Sequence, residues 1–120
     1  MTETTVYVYF IQQWEGYKCR GPIKIGIADD VDARLGELQV ANPRRLTILF
    51  RCPFPSRAEA RAAEQDLHRR LAHLNIRGEW FHGKLYKLIR NRAVLAGPSL
   101  RTIKSSEAWP GAVPEISASA

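Results

Sequence analysis

Apolar and polar positions along this chain switch between two periods, and the switches mark out six elements. Residues 6–11, VYVYFI, are β-branched or aromatic throughout, which predicts a strand. Residues 23–28, IKIGIA, alternate apolar positions with others and predict a second. Between them, residues 12–22 (QQWEGYKCRGP) hold two glycines and a proline, so the pair reads as an antiparallel hairpin with an enlarged connecting loop. Asp29 and Asp30 then offer an N-cap, with negative charge where a helix start favours it. Val31, Leu35 and Leu38 recur at helical spacing, and Pro43 ends that helix near Ala41. Residues 45–52, RLTILFRC, predict a third strand, stopped by Pro53 and Pro55. Ser56 and Glu59 form a capping box for a helix that puts Ala60, Ala63, Leu67 and Leu71 on one face and runs to about Leu74. Gly78 to Phe81 reads as a turn followed by aromatic anchors, and Leu85, Leu88 and Ile89 mark a helix within 83–94. After Gly97 and Pro98 the pattern dissolves into Ser, Ala, Pro and Gly. A domain over 1–97 and a largely disordered tail over 98–120 are therefore expected.

The order strand, strand, helix, strand, helix, helix predicts a small α/β (α+β) domain. Three antiparallel strands would form its sheet, flanked by helices. Strand side chains alternate between faces. Val6, Val8 and Phe10 match Ile23, Ile25 and Ile27 and should cover the core. Tyr7, Tyr9 and Lys24 then share the opposite face, where Gly26 lets something approach closely.

The length of 120 residues suits one domain. No run of 18 apolar residues exists, and Met1–Thr5 lacks the charged start and apolar stretch of a secretory signal. Two cysteines, Cys19 and Cys52, make neither a disulfide framework nor a zinc site. These features predict a cytoplasmic protein with free thiols. Charge adds a partner class. The net charge is +6, and all of the excess lies in residues 1–96, with 16 Lys and Arg against 10 Asp and Glu. A basic folded region suits a polyanion, although many small basic proteins bind none.

Candidate chemistry falls into five groups. On the second sheet face, a phenol (Tyr9) beside an ammonium (Lys24) is suggestive, since a cation favours the phenolate; a plain solvated strand face is the alternative. Arg34 borders the first helix's apolar stripe, where its planar fork could reach over the sheet and hold a phosphate. In the second helix, Glu64 and His68 project from one side. A lone carboxylate with water and phosphate is a usual Mg²⁺ holder, and a surface Glu–His pair is the competing reading. His73 is off that face, and His82 follows the aromatic pair. Trp80 and Phe81 read as core plugs. In the hairpin loop, Trp14 and Tyr17 beside Lys18 and Arg20 suit nucleic-acid stacking, or equally a hydrophobic loop contact. Arg57 and Arg61, with Arg69 and Arg70, make the second helix basic.

Several of these residues fall into a known order. Tyr7-Val8-Tyr9 followed by Lys24-Ile25-Gly26 resembles the paired motifs of the GIY-YIG nuclease superfamily, with Arg34 at the family's helix arginine and Glu64 at its metal-binding glutamate. The chain is more similar still to a phage and bacterial subgroup often described as DNA-binding. The shared fragments are Arg34-Leu35, Leu38-Gln39, Asn42-Pro43, Glu64, Leu67-His68 and Gly78 to Phe81, and they span roughly residues 6–90. Three positions depart from the family pattern. Tyr7 stands for glycine, Lys24 for tyrosine, and Leu38 where several family nucleases carry histidine.

The resemblance implies hydrolysis of a DNA phosphodiester assisted by one Mg²⁺ or Mn²⁺ ion. Glu64 would hold the metal and Tyr9 would be general base. Lys24 would lower the phenol's pKa or shuttle a proton, Arg34 would stabilise phosphate charge, and His68 would stand in as a proton carrier. Glu79 is a candidate supporting or helix-capping group. The alternatives are a DNA-binding module of the same fold that cuts weakly or not at all, and a regulatory or toxin-like protein using the fold as an interaction surface. Target choice would come from loop 12–22, from the basic helices, from dimerisation or from a partner protein. Oligomeric state stays open.

Overall fold

The computed structural model describes residues 5–90; the expected boundary at 97, the tail over 98–120 and the far end of the last helix lie outside the described residues. The elements are β1 (Val6–Gln13), β2 (Ile23–Ala28), α1 (Val31–Val40), β3 (Leu46–Phe54), α2 (Arg57–Arg70), a 3₁₀ turn (Ala72–Leu74), β4 (Asn75–Arg77), β5 (Trp80–Phe81) and α3 (Leu85–Arg90). The two designated caps form: Asp30 accepts from the Ala33 amide at 2.9 Å and Ser56 from that of Glu59 at 3.2 Å. The second helix is shorter than predicted, closing at Arg70 and tightening into 3₁₀ geometry up to Leu74.

The sheet is antiparallel with order β3-β1-β2-β5-β4. Three strands match the expectation, and residues 75–81 add two more. Gly78, at φ 55°, turns the chain between Asn75–Arg77 and Trp80–Phe81, and that small hairpin extends the β2 edge. A two-residue strand carries no period long enough to read from sequence.

The central strand explains the unbroken apolar run of VYVYFI: β1 is covered on both sides. Val6, Val8, Phe10, Ile23 and Ile25 pack under α2 and α3 with Ala60, Ala63, Leu67, Phe81, Leu85 and Ile89. On the other side Tyr9 and Ile11 meet Val31, Leu46 and Ile48, with Tyr7, Leu35, Leu38 and Trp80 against them. The expectation of an open second face is thus corrected. The apolar stripe of α1 must bury somewhere, and it lies on this face, so Tyr9 is 1% and Lys24 8% exposed. The close approach to Gly26 also has an occupant. Tyr9 pairs with Gly26 across the ladder, and a side-chain carbon there would meet the Tyr9 hydroxyl at 2.5 Å.

The hairpin loop is ordered. Gly21 donates to the Gln13 carbonyl at 2.7 Å, and Glu15 and Lys18 pair around Gly16, leaving Tyr17 at the tip. Both cysteines are free. Burial pushes the Cys52 thiol up to about 12, so little thiolate exists at neutral pH. Iodoacetamide at pH 7.5 should leave Cys52 unmodified in the folded protein and modify it in denaturant. Rapid native labelling, read by peptide mass spectrometry, would contradict that burial.

Candidate active site

Five segments bring charged and phenolic side chains to one notch at the β2 edge. The notch exists because β5 pairs with Ile23 and Lys24 only, and Gly26 beyond them has no side chain. The Tyr9 phenol extends over Gly26 from the central strand. Arg34, from α1, lies in hydrogen-bonding relation to it and also donates to Glu37 at 3.0 Å. From the turn before β5, Glu79 accepts from Lys24 Nζ at 2.6 Å, while its carbonyl accepts from the Ile25 amide at 3.0 Å. Glu64, from α2, comes through the other side of the edge and interacts with Glu79. His68, one turn further, sits with Nε2 4.0 Å from the Glu64 carboxylate and 3.2 Å from the Ile25 carbonyl. Its ring stacks edge-on with Phe81 at 5.0 Å. A cavity of about 340 Å³ opens beside Glu64, Gln65, His68, Gly78 and Glu79.

The electrostatics set the roles available. Burial raises the Tyr9 phenol above its ordinary pKa of 10.0; Arg34 opposes that rise, and the carboxylates of Glu79 and Glu64 add to it. The cation expected to favour the phenolate was Lys24. The structure gives that influence to Arg34 and ties Lys24 to Glu79. Arg34 is in turn held cationic by Tyr9 and Glu37. Glu64 is 7% exposed, and its carboxyl is raised above the usual range by burial first and by Glu79 second; His68 and Arg61 act the other way. Two carboxylates in contact, one of them desolvated, is an arrangement that a cation relieves. Among the described residues no group of three or more His, Cys, Asp and Glu forms a metal cage. A lone glutamate completed by water and phosphate oxygens needs none.

The cluster therefore unites Tyr9, Lys24, Arg34, Glu64 and His68. His68 differs in one respect from a free proton carrier, since its Nε2 faces the Ile25 carbonyl. Glu79 is neither a helix cap nor peripheral. The signal for it was the Gly78–Phe81 fragment, whose glycine turn aims the glutamate back at β2.

Of the residues suggested for DNA contact, those of the hairpin loop lie apart from this notch. Trp14 is corrected from stacking platform to loop anchor: it is buried, donates to Thr47 Oγ1 at 2.8 Å and has the Arg45 guanidinium 4.4 Å from its ring centre. Tyr17 is 98% exposed, with Lys18 exposed beside it. Arg20 is exposed and 3.7 Å from Glu15. That tip begins beyond Gln13, four residues along β1 from Tyr9, or about 13 Å at strand rise. Arg57 and Arg61 are exposed one turn apart on α2, and the row they start runs toward Glu64.

The T5orf172 domain model matches residues 4–95. The chain belongs to the T5orf172 domain family. That family is associated with GIY-YIG nuclease-related proteins, and the α+β fold with its antiparallel sheet agrees with the GIY-YIG arrangement. No curated protein and no solved structure matches. For this T5orf172 domain, the family supplies a nuclease-related association, and the chain's own residues must say what the notch does. No helix among the described residues is long and apolar enough to cross a membrane.

Proposed function

We propose that this T5orf172 domain is a divalent-metal-dependent DNA endonuclease that hydrolyses phosphodiester bonds at the β2-edge notch. One observation carries the reading: Tyr9, Arg34, the Lys24–Glu79 pair and Glu64 come from separate segments and meet where Gly26 opens the sheet. Convergence of a base, a fork-shaped cation and a desolvated carboxylate is characteristic of catalytic sites rather than of surface ion pairs.

In this reading the Tyr9 phenolate takes the proton of the attacking water. The water oxygen bonds to phosphorus, the bond to the 3′ oxygen breaks, and a 5′ phosphate remains. Arg34, beside Tyr9, neutralises charge building on the phosphate oxygens. Lys24 is fixed by Glu79 and supplies a second cation that can pass a proton without swinging into solvent. Glu64, with Glu79 behind it, would hold one Mg²⁺ or Mn²⁺. When bound, the ion polarises a phosphate oxygen and eases departure of the leaving oxygen. Arg57 and Arg61 would track the strand backbone toward the notch.

Supercoiled plasmid incubated with the full chain and Mg²⁺ should be nicked. The nicking should stop with chelator and in Glu64→Ala, and binding should weaken steeply with added salt. Intact nicking in Glu64→Ala would refute the assignment. A second reading, a DNA-binding module that cuts weakly, is favoured by one feature: the phenol is buried with a raised pKa, and its strand neighbour Lys24 is already neutralised. Retarded plasmid with no strand breaks would select it.

A further inference from the structure

The hydrolytic reading leaves several of the shared fragments unused. Gln39 and Asn42-Pro43 have no part in the assigned reaction, and Trp80, the ladder partner of Lys24 and packed against the Tyr9 cluster, only borders it, with its ring 5.8 Å from Lys24 Nζ. These fragments gather around a second cavity of about 320 Å³, lined by Gln13, Pro22, Asn42, Ile76, Arg77 and Trp80.

Its lining is both prepared and unsatisfied. Asn42 is held still: its Oδ1 accepts from the Arg44 amide at 2.9 Å and its Nδ2 donates to Gln13 Oε1 at 3.1 Å. Gln39 clamps the same turn, donating to the carbonyls of Asn42 and Arg44 at 3.2 and 2.8 Å and accepting from the Leu46 amide at 2.9 Å. The Gln13 carboxamide is thereby oriented by its oxygen, and its Nε2 has no partner among the described residues. Arg77 is exposed and makes no ion pair or side-chain hydrogen bond among the described residues. Trp80 is anchored against the second core cluster yet half-buried, and Ile76 beside it is 54% exposed, packing in neither core.

A partly bare indole face, an exposed aliphatic chain and outward donors on an amide and a guanidinium suit one ligand class. An unstacked nucleobase puts its π-face on the indole and its carbonyl and ring-nitrogen acceptors on the donors. A bare phosphate would have no use for Trp80, and an apolar peptide would strand the donors of Gln13 and Arg77.

We propose that this cavity takes one unpaired nucleobase of the bound strand, with Trp80 as stacking surface and Gln13 and Arg77 reading its edge. The inference rests on the nucleic-acid reading above. The donors favour an acceptor-rich edge such as guanine O6 and N7. The Trp80–Lys24 contact puts the base next to the phosphate at the notch, so this domain would itself contribute to the choice of cleavage position.

The test uses the full chain carrying Glu64→Gln, in metal-free buffer, with a short single-stranded oligonucleotide holding 2-aminopurine at one position. Binding should quench the 2-aminopurine fluorescence. Added in turn, Arg77→Ala and Trp80→Leu should each weaken binding about tenfold and reduce the quenching. Trp80→Phe keeps an aromatic ring if the leucine variant fails to fold, and it should retain part of the quenching. Arg77 is exposed and unpartnered among the described residues, so an unchanged affinity and unchanged quenching in Arg77→Ala overturn the proposal. So does a strand with an abasic residue at the probe position that binds as tightly as the complete one. Plasmid nicking by the wild-type chain without quenching sinks the pocket and leaves hydrolysis standing; quenching without nicking sinks hydrolysis and leaves the pocket.

Discussion

Tyr9→Phe is expected to slow Mg²⁺-dependent DNA cleavage by about two to four decades while leaving the fold in place. The ring keeps its contacts with Ile11, Val31 and the bare Gly26, so the substitution removes only the hydroxyl beside Arg34. The pH profile separates a chemical role from a packing role. Burial holds the phenol above 10.0 despite Arg34, so the phenolate is a minor species at neutral pH. Wild-type cleavage should therefore climb by about tenfold per pH unit from neutral into the alkaline range. The climb should disappear in Tyr9→Phe. Arg34→Lys removes the planar fork that favours the phenolate, so it should lower the rate and displace the climb to higher pH. A wild-type rate that is flat with pH, or a phenylalanine variant that cuts as fast, would remove Tyr9 as the base.

Glu64→Gln is expected to move activity and stability in opposite directions. Cleavage should fall by about three decades or more, because the carboxylate that would hold the ion is gone and the ion's charge stabilisation is worth several kcal/mol. Stability should rise at neutral pH. Glu64 has a folded pKa above its unfolded value, owing to burial and to Glu79. The folded state therefore binds more protons than the unfolded one between those two values, and stability falls as pH rises through that window. Above that window the raised carboxyl is a net cost to the fold, which the uncharged glutamine lacks. Below the ordinary carboxylate value of about 4.3 both side chains are neutral and the advantage should vanish. Melting curves of the two metal-free proteins at pH 4 and pH 7 check this, with the variant's Tm higher only at pH 7. Mg²⁺ should raise the wild-type Tm and leave the variant's unchanged. A wild type that melts above the variant at pH 7 without metal would mean that Glu64 contributes to stability rather than costing it.

Such a trade is what a site built for a cation should show. Glu64 stands on the core-facing side of α2 between Ala63 and Leu67, where an apolar residue would pack without penalty. Asp66 makes the contrast. It is also buried on this helix, but Arg69 and Arg70 both hold it, so its charge is answered within the helix. Among the described residues no arginine or lysine forms an ion pair with Glu64; its neighbours are a second carboxylate and a histidine 4.0 Å away, with Arg61 opposing the rise only weakly.

What the sequence determined by itself was everything carried by local periodicity and by short-range capping. The strands at Val6, Ile23 and Leu46, the Asp30 and Ser56 caps, the α1 stripe and the Ile23/Ile25 core face all follow from residues within a turn or two of one another. The identities of Tyr9, Lys24, Arg34 and Glu64 as candidates were legible too, through ordered motif fragments. Only the tertiary structure decided how they pair. Lys24 faces Glu79, 55 positions away, rather than the phenol on its neighbouring strand, because a two-residue strand around a left-handed glycine folds back onto β2. Trp14 lies inside rather than on display for the same kind of reason: its indole finds Thr47 on β3, and Arg45 just before it, where that strand joins β1 from the far side. A side chain's partner is fixed by where distant segments close on each other, and no period along the chain records that distance.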